Sequence, residues 1–315
     1  MKNLLIDTDP GMDDALAIAL AHKSAGLDIK AITAVTGNLP SDRTAANALK
    51  VLDLLGAPDI PVAQGPTLPL SGDYPSDPFS HGSDGLAESH FAESARELDA
   101  RTAAQLIVDV VDAHANDITI CALGPLTNIA QALEIDPGLP GKVSQLIIIG
   151  GSFGETPYAW SQATGDNPVS EWNIFVDPEA AHTVFRAGFE LVAVGLDVAT
   201  HPRINFRPHD LEALRASDSA EAALAARVVD FVNGRGYQSY CSLIDSVAVA
   251  AAIDPTLIET VSLRCDVATE GRLTRGMTVV DRRAHHQWTD MPLITVASDL
   301  DFDRFLDLVT GELAK

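Results

Sequence analysis

Four carboxylates fall within eight residues near the start of the chain: Asp7, Asp9, Asp13 and Asp14, in the stretch LLIDTDPGMDDALAIAL from Leu4 to Leu20. Acids this close repel one another strongly unless something offsets their charge. A helix start would stabilise Asp13 and Asp14 through the helix dipole, and Asp7 or Asp9 could cap the turn. That reading still leaves two further acids at the end of an apolar run. A hard divalent cation, Ca2+ or Mg2+, held by carboxylate and carbonyl oxygens accounts for all four.

The elements around these acids follow from the apolar pattern. Leu4, Leu5 and Ile6 read as a buried strand, Pro10-Gly11 breaks it, and a helix begins at Asp13-Asp14. Ile29–Val35 is a second strand ending in Thr36-Gly37-Asn38; a helix follows from Arg43 to Leu55, then a short strand over Ile60–Ala63. This βαβαβ opening predicts an α/β fold, a Rossmann-like, open, mostly parallel sheet flanked by helices on both faces. In such sheets ligands bind outside the carboxyl ends of the strands. Residues 64–100 are rich in Gly, Pro, Ser and Asp and carry His81-Gly82; a loop this long is usually functional or mobile. His81 by itself reads most simply as a solvated side chain.

The alternation then resumes: a helix over Thr102–His114, a strand over Ile118–Leu123, Gly124-Pro125-Leu126-Thr127-Asn128 opening a helix, and a strand over Leu146–Ile149. An irregular stretch from Ser152 to Val169 holds Trp160 and the turn Gly165-Asp166-Asn167-Pro168. Asp177-Pro178-Glu179 starts a helix, and Leu191–Leu196 is a strand ending at Asp197. Pro208 to about Gly234 reads as one alanine-rich helix. Leu243–Ile253 is a buried helix with Asp245 near its start, where the acid is either dipole-stabilised or a ligand. Short strands over Thr260–Cys265, Met277–Val280 and Leu293–Val296 precede a closing helix after Asp301. No repeat or linker divides residues 1–315, which we expect to form one domain.

Composition narrows the partners. A net charge of −23 and a pI near 4.5 argue against nucleic acid and anionic membranes and favour a bound cation. No uncharged run approaches the roughly 20 residues that span a bilayer, and no signal-peptide pattern opens the chain. Cys121, Cys241 and Cys265 are odd in number and widely spaced, so we expect reduced thiols and a cytoplasmic location.

With these blocks in order, the chain resembles the inosine-uridine-type nucleoside hydrolases over nearly its full length. DTDPGMDD at 7–14 matches their signature; TGN at 36–38, HGSDGL at 81–86, GPLTNIA at 124–130, EWNIFVDPEAA at 171–181 and TRGMTVVD at 274–281 follow in the family's order. The resemblance implies the nucleoside hydrolase fold, a Ca2+ cofactor, a homodimer or homotetramer, and hydrolysis of the N-glycosidic bond of ribonucleosides to ribose and free base. It implies Asp9, Asp14, Asp245 and the backbone carbonyl of Leu123 as calcium ligands, with Asp9 accepting a proton from the calcium-bound water. It implies Asp13 and Asn38 at the ribose hydroxyls, Glu171 and Asn173 at the sugar's 3′ and 5′ side, and His81 near the nucleobase.

The chain also departs from the family pattern. Many members carry a histidine just before the distal aspartate, where this chain has Ile244, which cannot transfer a proton. A family asparagine aligns with Gly165, and Asn167 is the substitute we expect after a local shift. Without the histidine, His81, Tyr237, Tyr240 or solvent must supply the leaving base with its proton, although Tyr237 and Tyr240 suit packing equally well. Two other readings compete. In a haloacid-dehalogenase-like phosphatase Asp7 would be the nucleophile, but the required later lysine with an acidic pair is missing. A non-catalytic nucleoside- or ribose-binding protein would also retain the metal positions; release of free ribose separates it from an enzyme.

Overall fold

The computed structural model describes residues 1–76, 80–161 and 163–315. Among these residues nine strands form one sheet: β1 (Lys2–Thr8), β2 (Leu27–Ala34), β3 (Val62–Gln64), β4 (Ile118–Ala122), β5 (Gln145–Ile149), β6 (Leu191–Val194), β7 (Ile258–Val267), β8 (Thr278–Val280) and β9 (Leu293–Leu300). Their spatial order is β3-β2-β1-β4-β5-β6-β9-β7-β8. All neighbours run parallel except β7, which is antiparallel to both β9 and β8. The expected mostly parallel open sheet is therefore present.

The helices are α1 (Met12–Lys23), α2 (Ser41–Leu54), α3 (Ala103–Ala113), α4 (Thr127–Ile135), α5 (Tyr158–Ser161), α6 (Trp172–Val176), α7 (Pro178–Arg186), α8 (Leu196–Ala199), α9 (Pro208–Ala216), α10 (Ala220–Gly234), α11 (Ile244–Ile253) and α12 (Phe302–Leu313). They cover both faces because successive strand residues point to opposite sides. Leu4 and Ile6 of β1 join the core layer built with α1, α10, α11 and α12, while Leu5 joins the layer built with α3, α4 and α7. Helix α1 is buried from Met12 through Ala21, which explains why its sequence is apolar on every side.

Two expectations at element boundaries change. The segment 208–234 is two helices: Ser219 accepts a hydrogen bond from Ala222 N and starts α10 afresh, so a polar cap outweighs the alanine-rich pattern. Strand β6 stops at Val194, and Leu196-Asp197 open the short α8. No described helix is long and apolar enough to cross a membrane.

Sheet order fixes where a ligand can sit. From β1 the chain moves outward to β2 and β3, then returns to place β4 on the other side of β1. The β1/β4 boundary is thus a topological switch point, and a crevice opens beyond the carboxyl ends of those two strands. The acidic stretch leaves β1 at that point and Leu123 leaves β4 beside it.

Candidate active site

A cleft of about 390 Å3 lies over this boundary, lined by Asp13, Asn38, His81, Leu123, Glu171, Asn173, Tyr237, Tyr240, Ile244 and Asp245 among others. At its floor, one carboxylate oxygen from each of Asp13, Asp14 and Asp245 lies within 4.8 Å of the other two. Asp13 and Asp14 sit in the first turn of α1 and Asp245 in the first turn of α11. All three are buried.

Local hydrogen bonds set the acids in place. Asp14 accepts from Thr8 Oγ1, from Gly11 N at 2.9 Å, from Asp9 N at 3.3 Å and from Asn38 Nδ2 at 3.2 Å. Asp9 Oδ2 accepts from Asn38 N at 2.6 Å. Asp9 stands just behind the three converging oxygens, close enough to repel Asp13, Asp14 and Asp245, and is wedged beside Gly37 and Gly124, where a Cβ on either glycine would stand 2.0 or 2.6 Å from its carboxylate oxygens. Asp13 Oδ1 is buried without a hydrogen-bond partner. His81 Nδ1 stands 3.5 Å from that oxygen and accepts from Met12 N at 3.3 Å.

The electrostatics are those of a cation site. Burial pushes the carboxyls of Asp9, Asp13 and Asp245 well above the usual carboxylate range, and their mutual repulsion with Asp14 pushes them further. Among the described residues no lysine or arginine pairs with this group. Its donors are hard oxygens, one of them orphaned, so the residues fit a divalent cation such as calcium. A second cluster of His209, Asp210 and Asp307 is different: Arg207 binds both Asp210 and Asp307, giving a surface ion-pair network already neutralised.

Glu171 caps α6 by accepting from Asn173 N and Ile174 N at 2.9 and 3.1 Å, and it also accepts from Gly151 N, just beyond β5, at 3.1 Å. Burial nonetheless raises its carboxyl to about 7, outweighing those three donors. Asn173 donates its amide to the carbonyls of Leu123 at 2.7 Å and Ile149 at 3.0 Å.

One expected residue lies elsewhere. Asn167 does not line the cleft: its Oδ1 accepts from Val169 N and Ser170 Oγ within its own loop, and its Nδ2 donates to Arg275 O at 2.8 Å, tying that loop to the segment before β8. Tyr237 and Tyr240 do reach the cleft, and Ile244 presents an alkyl group beside them. Asp7 is enclosed away from the cleft, accepting from Thr33 Oγ1 at 2.6 Å and Asn128 Nδ2 at 2.8 Å. It is not placed to act as a phosphatase nucleophile.

Some groups went unrecognised in the sequence. Asp197 accepts from Phe153 N at 2.8 Å and Glu155 N at 2.5 Å, anchoring the loop that leads to the cleft wall at Ser161 and Thr164. Nothing in a strand ending followed by Asp signals a loop 42 residues upstream. Phe231, Trp172, Arg235 and Cys241 also line the cleft; each reads locally as core or helix-end composition.

The chain is similar to known proteins along nearly its whole length. The family model for inosine-uridine preferring nucleoside hydrolases matches residues 4–307. The chain is 36% identical over 320 residues to an inosine-uridine preferring nucleoside hydrolase of Leishmania major, covering 100% of this chain and 98% of that protein. It is also 36% identical to a pyrimidine-specific ribonucleoside hydrolase, RihA, of Klebsiella pneumoniae subsp. pneumoniae, over 99% of this chain and 98% of that one. Among solved structures, a plant nucleoside hydrolase, PpNRh1, superposes with a TM-score of 0.87 at 34% identity over 99% of both chains. A nine-stranded switch-point sheet, an acid nest at its crevice and full-length similarity converge on one conclusion: this chain belongs to the inosine-uridine preferring nucleoside hydrolase family and is an enzyme of that type.

Proposed function

We propose that the protein hydrolyses the N-glycosidic bond of ribonucleosides, giving ribose and a free nucleobase, with calcium in the acid nest. The observation that carries this reading is the convergence of Asp13, Asp14 and Asp245 at the cleft floor, with Asp13 Oδ1 buried and unpartnered. Asp9, Asp14, Asp245 and the Leu123 carbonyl are the groups that would hold the ion. Calcium there would supply Lewis acidity toward a water molecule and a template for the ribose diol.

The remaining chemistry belongs to the chain. Asp9, fixed by Asn38 N, accepts the proton of the attacking water as its oxygen bonds to the anomeric carbon. The carbon–nitrogen bond breaks and its electron pair leaves on the base. Positive charge growing on the sugar is stabilised by the buried acids around it. Asp13 takes the 2′-hydroxyl, which pairs its orphan oxygen; Asn38 stands beside it, and Glu171 and Asn173 face the rest of the sugar. The base side carries His81, Tyr237 and Tyr240 in place of an acid at Ile244, so proton delivery to the base falls to one of these or to solvent. The family resemblance further supports a homodimer or homotetramer, which sedimentation tests directly.

The experiment compares kcat/KM for uridine and inosine with their 2′-deoxy forms. Sites built to pair a hydroxyl reject analogues lacking it by roughly 10⁴–10⁵, a gap narrowed by the greater intrinsic lability of deoxynucleosides. Strong preference for the ribonucleosides is expected. Equal values would remove the acid nest from sugar binding, and binding without release of ribose would make the protein a nucleoside-binding one.

A further inference from the structure

We infer that Asn173 is a positioning residue for the cation site: its amide aims the Leu123 carbonyl at the acid nest. The inference rests on the calcium reading given above and adds a task to a residue otherwise assigned only to the sugar. Asn173 Nδ2 donates 2.7 Å to the carbonyl at Leu123, just beyond β4, and 3.0 Å to that of Ile149, which ends β5. Carbonyl oxygens only accept. The two contacts therefore fix which end of the amide is which, with nitrogen against the strand ends. Among the described residues no donor reaches Asn173 Oδ1, so the acceptor end is left for the cleft that Asn173 lines.

The Leu123 carbonyl needs such a guide. It follows the end of β4, where the ladder to β5 has stopped, and Gly124 comes next. Leu123 N is tied to Asp7 O at 2.7 Å, but that bond leaves the following peptide unit free to rotate. A carbonyl has two acceptor sites. With one held by Asn173, the other points in a set direction. Asn173 itself is held through Glu171, whose side chain accepts from Asn173 N at 2.9 Å. The sugar side of the cleft and the cation side are thus joined through one amide.

A competing effect has the opposite sign. A donated hydrogen bond draws electron density from the carbonyl, so its removal would make the oxygen a better ligand. Groups that orient metal ligands typically lose 10–100-fold in metal affinity when removed, which is larger than the polarisation of one neutral hydrogen bond warrants. Orientation should therefore win.

The test is calcium binding to Asn173→Ala without nucleoside, by calorimetry, so that loss of a sugar contact cannot contribute. The expected result is a Kd raised about 10–100-fold. Terbium substituted for calcium, read by its luminescence lifetimes in H2O and D2O, should show one more coordinated water in the variant than in the wild type. If Asn173→Ala does not fold, Asn173→Ser serves, because its hydroxyl is too short to reach both carbonyls; it should show the same two changes. Unchanged or tighter affinity with an unchanged hydration number would overturn the inference and leave Asn173 as a sugar contact alone. Absence of calcium binding by the wild type would instead defeat the cation reading itself, so the two failures are separable.

Discussion

Gly37→Ala tests the site through a single methyl group. Gly37 does not occupy the left-handed region, so alanine is not strained by the backbone. The cost is steric: the added Cβ would lie 2.0 Å from Asp9 Oδ2 and 2.6 Å from Pro125 Cδ, against a practical limit of 3.0 Å. The rigid proline ring blocks retreat on one side, so Asp9 must give way by about 1 Å. That movement also breaks the 2.6 Å bond from Asn38 N to Asp9. A 1 Å misplacement at a reacting centre costs on the order of 10²-fold. We expect kcat/KM for the best ribonucleoside to fall by about that factor, with circular dichroism and the melting curve close to wild type. Gly141→Ala is the control, since a Cβ there meets nothing within 4 Å. A Gly37→Ala enzyme within threefold of wild type would refute the placement of Asp9 in the chemistry.

Three further outcomes follow from the same geometry. Asp14→Ala removes a carboxylate held by Thr8, Gly11 and Asn38, and should abolish calcium binding and nearly all turnover while the fold survives; normal kinetics with normal calcium affinity would defeat the assignment. In chelator, stability should fall as pH rises from about 4.5 to about 7: Glu171, raised from 4.5 to about 7, keeps in the folded state a proton that the unfolded chain releases. A shift of that size is worth at most about 3 kcal/mol, and Glu171→Gln should flatten the dependence of Tm on pH across that window; an identical slope in the variant would count against it. Ile244→His places an imidazole on the base side of the cleft, and general-acid help of roughly 10²-fold should appear on inosine and be lost as pH rises through the imidazole's pKa; no gain would show that His81, Tyr240 or solvent already serves.

Local signals in the sequence determined much of this protein. Apolar runs, Pro10-Gly11 and the acids after them placed β1, the turn and α1 because strand period and helix start are encoded by neighbours. The same kind of signal misled at 208–234, where the helix pattern on both sides of Ser217-Asp218-Ser219 hid a cap. The sequence also carried the family's motifs in order, and with them the cleft's Asp13, Asn38, His81, Glu171 and Asn173. Tertiary structure alone decided how those residues meet. Asp245 joins Asp13 and Asp14 only because α11 packs against α1 beneath the β1/β4 switch point. Asn167 stands at the expected place in the chain yet spends its amide on its own loop and on the distant Arg275 carbonyl, while Asn173 turns its amide onto the ends of β4 and β5. Asp197 holds a loop far from it in sequence. A side chain's partner depends on which strand ends lie side by side, and strand order is set by burial of the whole sheet between two helical layers, which no window of neighbouring residues contains.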